Sequence, residues 1–590
     1  MSKTIFLGID GMDPKIAEQL MSAGQLPNFE RLAARGHYSQ LATINPPQSP
    51  VVWSTIATGL APSGHGIYDF IHRDPATYKP YLSLHRIEHG RYVNPVQGET
   101  FWEKCAAKGI GSTLLKWPMG FPPRPFPGQM LAGLGAPDLR GMLGTYTCYT
   151  SAPEKMERDA KGRIVPVPGS AQSVQTDITG PFTVGLTGRK ATTIPLNIQL
   201  DANSVTCRIG RQSFTLAPGQ WSPWLTIVFD IGFFRTVKGI CRFYLSGLHP
   251  EFSLYMTPVN VAFDSSEFPI SHPADYAVEL ADAIGPFSTL GLAEDTNAVN
   301  DGALDEDGFI SLCDGIMAER ESMFLYELSR FREGLLACVF DTTDRIQHIF
   351  WRMHDTGHPM HDPALAESYN DVIPRYYRWM DRILGVVLDR APDAALICCS
   401  DHGFCSFRRS VQVNDWLLRE GFLALKPGAK LCEGLFEEID WSRSQAYAAG
   451  LNSIYLNLRG REKEGILNES ELPALKSKLA ARLASLYDRG RPVVCRVHDA
   501  ELLKGDNPHA AAGGPDLVVG FAEGYRASWQ TAIGGITGGE IIEDNLKKWS
   551  GDHCCDASLV PGVLFTNAPT TGYMSSVNEI GNMLAELTQR

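Results

Sequence analysis

The 590-residue sequence predicts an α/β protein: a mostly parallel central sheet with helices on both faces, a β-rich insertion and a smaller α+β cap. Three observations predict it. Apolar strand-like runs alternate with amphipathic helical stretches, the pattern of a parallel sheet covered on both sides. Three of those runs, FLGID, ACVFD and ALICCSD, each finish on an aspartate. From about residue 160 to 265 the texture changes to short alternating segments separated by Gly, Pro, Asn and Ser, as in antiparallel β-structure.

Taken in order, residues 4–10 read as a buried strand closed by a Gly-Met-Asp-Pro turn, with Asp13 as a turn or cap residue. Residues 14–22 and 28–35 read as short amphipathic helices, the second stopped by Gly36. PVVWSTIATGL, after Ser49, reads as a helix entered through Pro50, with Ser49 at or near its N-cap. Backbone amides at such an entrance point at an anion. GIGSTLLKWP (109–118) is a strand candidate, and 273–335 is helical. Buried strands follow at 335–341 and 394–400, on either side of a long helix at 362–390 that carries Met380, Ile383, Leu384 and Val387 on one face. A mixed segment holds strand-like SIYLNL and helical ELPALKSKLAARLASLY; strand-like PDLVVGF and GVLFTN precede a last helix near 575–589. The division this predicts is core 1–158, β-rich insertion 159–268, core 269–410, α+β cap 411–510 and core 511–590.

Composition bounds the function. Hydrophobic content of 44% with 20% charged residues is that of a globular protein. The net charge of −13 is spread along the chain and argues against binding a nucleic-acid polymer, which needs a basic face. The opening MSKTIFLGIDGMD does not read as a secretory signal, and no apolar stretch is long enough to span a bilayer. Thirteen cysteines without a signal predict reduced thiols and a cytoplasmic location. Cys338, Cys398 and Cys399 sit in strand-like runs as buried inert thiols, and Cys554–Cys555 lack the CxxC spacing of a thiolate metal site.

The chemistry lies at the strand ends. In open α/β sheets ligands sit beyond the carboxyl ends of the strands, so Asp10, Asp344 and Asp401 gather along one edge. In DRIQH, Asp344 and His348 are four apart and share a helix face. His402 follows Asp401, and His553 sits in the loop SGDHCCD. Carboxylates and imidazoles together suit zinc, manganese or a related transition ion. Ser49 supplies a hydroxyl where a nucleophile is needed, at a helix entrance whose backbone N–H groups can meet an anion.

These segments resemble the alkaline phosphatase superfamily, and within it the type I phosphodiesterase/nucleotide pyrophosphatase branch. The resemblance is carried by GIDGMDP, LPNFERLAARG, SPVVWSTIATGLAPSGHGIYDF, DRIQHIFW, SDHGF and the GDH loop, spread from end to end in the family's order. It implies an alkaline phosphatase-like fold and two divalent metal ions, zinc first and manganese or another transition metal as alternatives. It implies Asp10, Ser49, Asp401 and His402 around one ion, and Asp344, His348 and His553 around the other. Ser49 takes the place of the nucleophile, which coordination to a dication activates, and the expected intermediate is phosphoseryl or phosphodiester-seryl. Arg73 and Lys116 are the candidate substrate contacts, and Asp341 supports the ligand shell from behind. The chain departs from the branch where Asp69 and Phe70 follow HGIY in place of an asparagine. Ser49-Pro50-Val51-Val52-Trp53 fails the sulfatase pattern, and no counterpart of the alkaline phosphatase arginine is assignable. The expected activity is a phosphodiesterase or nucleotide pyrophosphatase acting on a small-molecule phosphate ester. A phosphomonoesterase, phosphonate hydrolase or phosphotransferase of the same superfamily is the alternative, and a non-catalytic binding protein built on the β insertion is another. Oligomeric state stays open.

Overall fold

The structure is a computed structural model that describes residues 3–169, 171–185, 188–232, 234–429, 431, 434–500, 513–568 and 575–588. The end of the expected cap, 501–510, and residue 589 of the expected last helix lie outside the described residues. Contacts divide the chain into two compact units, Met1–Thr113 with Phe331–Arg590, and Leu114–Arg330.

In the first unit, β1 (Lys3–Ile9), α1 (Pro14–Ser22), α2 (Pro27–Arg35), β2 (His37–Leu41) and α3 (Ser49–Thr58) come from the N-terminal part. The rest of its layered core comes from β3 (Gly334–Phe340), α4 (Thr342–His354), α5 (Val372–Arg390), β4 (Ala395–Cys399) and β5 (Gly562–Thr566). The strands lie in the order β2-β5-β4-β1-β3. β1 pairs in parallel with β3 and β4; β5 is antiparallel to β4 and to β2, so β5 alone among these five runs backwards. All seven residues of β3 are buried, as are six of seven in β1, which is why both read as continuous apolar runs rather than alternating ones.

Register places the chemistry. Ile9 lies opposite Phe340 and Gly8 opposite Cys399. Carried on by one and two residues, the parallel register sets Asp10 level with Asp341 and with Asp401 at the same end of the sheet.

The long helix expected over 362–390 is two helices, Pro363–Tyr369 and α5. Pro374 has no N–H to give the carbonyl four residues back, so the ladder stops there and restarts with proline in its first turn. Met380, Ile383, Leu384 and Val387 are buried on α5 as their spacing predicted. The 411–510 stretch contributes Ala446–Ala448, Ser453–Leu456 and Val494–Asp499 to an antiparallel sheet completed by Leu517–Phe521. The helix Leu472–Ala484 buries Leu475, Leu479 and Leu483 in the same apolar cluster as Tyr447, Tyr455 and Phe521.

The second unit holds the β-rich segments. Ser173–Gly185, Gly188–Leu200, Val205–Ile209 and Gln212–Leu216 form an antiparallel meander, and Leu225–Gly232 pairs with Arg235–Cys241. It also holds helices Tyr276–Ile284, Thr296–Asn300 and Glu306–Arg330, which the sequence division had placed with the core. The long helix stays with the β-structure because Trp221 and Trp224 donate their indole N–H groups to Ser311 and Glu319 on it. Such side-chain bonds leave no trace in local periodicity.

Candidate active site

Ser49 is the first residue of α3, one place inside the N-cap Gln48. Its Oγ lies 3.4 Å from Asp10 Oδ1 and 3.2 Å from His402 Nε2. Asp10 follows β1, with its backbone N–H on the Phe340 carbonyl at 2.9 Å. Its other oxygen, Oδ2, accepts from Trp53 Nε1 at 2.9 Å, one helical turn after Ser49. Gly11 must turn at φ 69°, and a side chain there would meet the Phe404 ring at 2.6 Å. Its N–H donates to Asp401 Oδ1 at 3.1 Å.

Asp344 and His348 lie one turn apart on α4, with His348 Nε2 3.2 Å from Asp344 Oδ2. His553 Nε2 is 3.6 Å from Asp344 Oδ1, and the His553 ring stacks on His402 at 3.6 Å between centroids. All seven expected ligands are thus near one another and buried, arriving from segments up to several hundred residues apart.

The three imidazoles share one arrangement. His348 Nδ1 faces the Gly551 carbonyl at 2.7 Å, His402 Nδ1 the Gly403 carbonyl at 3.1 Å, and His553 Nδ1 the Pro47 carbonyl at 2.6 Å. A carbonyl only accepts, so each Nδ1 carries the proton and each Nε2 turns a lone pair towards the carboxylates. Metal-binding histidines are oriented in this way.

The electrostatics suit a bound cation. Burial, then repulsion from Asp401 and Asp344, pushes the Asp10 carboxyl well above the ordinary carboxylate range. Burial first, with Asp344 adding to it, pushes Asp401 up to about 7. Burial also works to raise Asp344, but the Arg345 guanidinium, 2.6 Å from Oδ2, works against it. Burial lowers His402 to about 4 and His553 to about 3, keeping both neutral. Asp344 Oδ1, Asp401 Oδ2 and His348 Nε2 are buried and make no hydrogen bond, although buried polar atoms are nearly always paired. Ligand atoms of Asp10, Asp401 and His402 lie within 4.8 Å of one another, as do those of Asp344, His402 and His553. The residues present therefore fit divalent cations held by nitrogen and oxygen. Ligand atoms of Asp552, His553 and Cys554 also lie within 4.8 Å of one another, but the Asp552 carboxylate is occupied by Arg526 and Trp549.

Two expected substrate contacts are placed differently. Arg73 is buried and spends each guanidinium nitrogen within the protein, on Glu462 at 2.8 Å, Tyr447 at 2.9 Å and the Gly513 carbonyl at 3.1 Å. Lys116 lies in the second unit, where its ammonium donates to the Ser288 carbonyl at 2.6 Å. Both were chosen by charge and position in the chain, and both are consumed by internal acceptors. The backbone donors expected around Ser49 are also fewer: Pro50 has no N–H, and those of Val51 and Val52 both go to the Gln48 carbonyl. Asp341 is the N-cap residue of α4, without a side-chain cap bond. Asp13 is the expected helix cap, accepting from Lys15 and Ile16 N–H groups. Asp69 is buried, accepts from the N–H groups of Ile71, Leu451 and Asn452, and is pushed up to about 6 by burial.

Sequence reasoning missed Trp53 and Asp552. The i,i+4 spacing of Ser49 and Trp53 was the available signal for the first. Asp552 stands beside His553 in the GDH triplet; it accepts from the N–H groups of His553 and Cys554, both at 2.8 Å, and pairs with Arg526 at 2.6 Å. It shapes the loop that presents His553.

The family model described as type I phosphodiesterase / nucleotide pyrophosphatase matches residues 4–177 and 253–528. No curated protein matches the chain in sequence. Structures of phosphonoacetate hydrolase from Sinorhizobium meliloti 1021, in complex with phosphonoacetate and with phosphonoformate, align with 100% of this chain and 96% of theirs at 12% identity, with TM-scores of 0.45 and 0.44. An inactive variant of murine ectonucleotide pyrophosphatase / phosphodiesterase 5 in complex with AMP aligns with 100% of this chain and 95% of its own at 12% identity, with a TM-score of 0.40. Likenesses this distant carry no functional argument.

Proposed function

The chain belongs to the type I phosphodiesterase / nucleotide pyrophosphatase family, phosphoric ester hydrolases of the alkaline phosphatase superfamily, and on that premise we propose that it is a metal-dependent phosphodiesterase with Ser49 as nucleophile. The observation that carries this reading is the position of Ser49 Oγ, 3.4 Å from Asp10 and 3.2 Å from His402 at the start of a buried helix. Asp10, Ser49, Asp401 and His402 would hold one divalent ion, and Asp344, His348 and His553 a second, with zinc first and manganese as the alternative. When bound, such ions lower the pKa of a coordinated hydroxyl and neutralise charge on a leaving oxygen.

The chain's own residues do the rest. Ser49 Oγ passes its proton along its hydrogen bond to Asp10 Oδ1 and attacks phosphorus in line; the P–O bond to the leaving group breaks, and the departing alkoxide takes a proton from solvent. The positive end of α3 favours the negative charge that develops on that oxygen. Trp53 holds Asp10 Oδ2 so that Oδ1 faces the serine. The burial of Ser49 and the other six ligands keeps competing water from the attacking oxygen. Water then attacks the phosphodiester-seryl intermediate, breaking the P–O bond to Ser49, returning a proton to its hydroxyl and releasing the phosphomonoester; two inversions give net retention at phosphorus.

The test is hydrolysis of an aryl phosphodiester. Activity should vanish with chelator and return with Zn²⁺ or Mn²⁺, and Ser49→Ala should keep its metal and lose turnover. Full activity in Ser49→Ala would refute the covalent route. Rates on aryl monoester and phosphonate substrates, beside the diester, separate this reading from the other reactions of the superfamily.

A further inference from the structure

Two buried amides connect the nucleophile to the loop that carries His553. Gln48, the residue before Ser49, accepts from the Phe70 N–H at Oε1 (2.8 Å) and donates through Nε2 to Asn452 Oδ1 at 2.9 Å. Asn452 donates in turn through Nδ2 to the Cys554 carbonyl at 3.1 Å and the Val519 carbonyl at 3.0 Å. Both side chains are buried, Gln48 at 0% and Asn452 at 2% exposure. The direction of this relay is forced. A backbone N–H at one end can only be met by an oxygen, and two carbonyls at the other only by an N–H. Each amide is therefore held in one orientation, with both heavy atoms bonded.

The turn that carries Asn452 is itself pinned. Asp69 accepts from the backbone N–H groups of Leu451 and Asn452 and from the Ser453 hydroxyl. Gly450 takes φ 81°, and a side chain there would stand 2.6 Å from the Asp69 carboxyl. Asn452 is thus a rigid point contributed by the 411–510 segment, with one arm on the residue before the nucleophile and the other on the residue after a metal ligand. The Pro47 carbonyl, on the far side of Gln48, meets His553 Nδ1. Residues 47–49 and 553–554 are therefore tied twice, once through the imidazole and once through the amide relay.

We infer that Asn452 is a positioning residue for the reaction: with Gln48 it forms a strut that sets the distance between the Ser49 hydroxyl and the His553 loop. The inference rests on the reading of Ser49 as nucleophile. Asn452 acts through Gln48 and Cys554. Rate is steep in such distances, since a misplacement of about 1 Å costs on the order of 100-fold.

The test compares wild type, Asn452→Ala, Gln48→Ala and the double variant on the aryl phosphodiester with zinc present, together with zinc content per chain. Each single variant should lose about 100-fold in kcat with KM within about twofold and zinc content unchanged. Because the two amides form one strut, the double variant should be no slower than the slower single. Asn452→Asp keeps the size of the side chain but offers no donor to the two carbonyls, and should lose kcat to a similar extent if the alanine variant fails to fold. Unchanged kcat in Asn452→Asp or Asn452→Ala, multiplicative losses in the double variant, or a loss of kcat matched by a loss of zinc would each overturn the inference. A wild type without diesterase activity, or a fully active Ser49→Ala, would instead sink the reading beneath it. An active wild type, a dead Ser49→Ala and fully active Asn452 variants would sink the strut alone.

Discussion

Replacing Trp53 with phenylalanine removes one hydrogen bond from a metal ligand and leaves an aromatic ring in place. Trp53 Nε1 donates to Asp10 Oδ2 at 2.9 Å, and neither side chain is more than 1% exposed. A hydrogen bond to a charged group is worth about 1.5–3 kcal/mol. At about 1.4 kcal/mol for each factor of ten, its loss predicts a roughly 10- to 150-fold weaker hold on the ion beside Asp10. That range agrees with the 10- to 100-fold typical of removing a partner that orients a metal ligand. The smaller ring also leaves space where Gly8 now packs against the indole, so stability falls too, by less than the roughly 3–5 kcal/mol of a truncation to alanine. The two effects separate by assay. Zinc affinity comes from competition with a chromophoric chelator, and stability from urea denaturation at saturating zinc. A folded Trp53→Phe protein whose zinc affinity stayed within twofold of wild type would refute the assignment of Trp53 as the group that orients Asp10.

Three further predictions follow from the same geometry. Arg526 holds Asp552 at 2.6 Å, and Asp552 shapes the His553 loop; Arg526→Met should weaken zinc binding about 10- to 100-fold in a zinc titration, and unchanged affinity would show that the loop stands without it. Arg73 and Glu462 form an ion pair with both side chains at 0% exposure, so Glu462→Ala should cost about 3–5 kcal/mol in urea denaturation, whereas the double change to methionine should recover most of it. His65 and His72 are lowered to about 3, in both cases by burial first. The unfolded chain takes up protons at these rings near pH 6.5 while the folded chain does not, so their contribution is complete above that pH and falls as pH drops towards 3. The slope is about 1.4 kcal/mol per pH unit for each ring. His72→Gln should make the acid limb of stability against pH shallower by about that amount, and an unchanged slope would contradict the burial of a neutral imidazole.

How much of the site was legible depended on the kind of contact. Asp10, Asp344 and Asp401 could be gathered at one edge from sequence because apolar runs mark buried parallel strands, and strand ends are where such sheets expose chemistry. Asp344 and His348 could be paired because the helical repeat brings residues four apart together. The internal partners of Arg73 and Lys116 were not legible, because charge says nothing about partners, and Glu462 and the Ser288 carbonyl lie far along the chain. Nor were the bonds by which Trp221 and Trp224 tie the helix Glu306–Arg330 to the β-structure of the second unit. The break at Pro374 was readable in principle, since proline interrupts the ladder wherever it falls inside a helical stretch.

The sequence by itself determined the donor chemistry of the site and the order in which its parts arrive: carboxylates and imidazoles at strand ends, a serine at a helix entrance, and the motifs of one hydrolase family from end to end. These are matters of residue type and local period, which a linear chain carries intact. The tertiary structure alone decided which nitrogen of each histidine faces the carboxylates, which oxygen of Asp10 faces Ser49, and that an asparagine of the 411–510 segment reaches both Gln48 and the His553 loop. Each of those choices is made by a hydrogen bond between groups remote in sequence, and its partner exists as a neighbour only once the chain has folded.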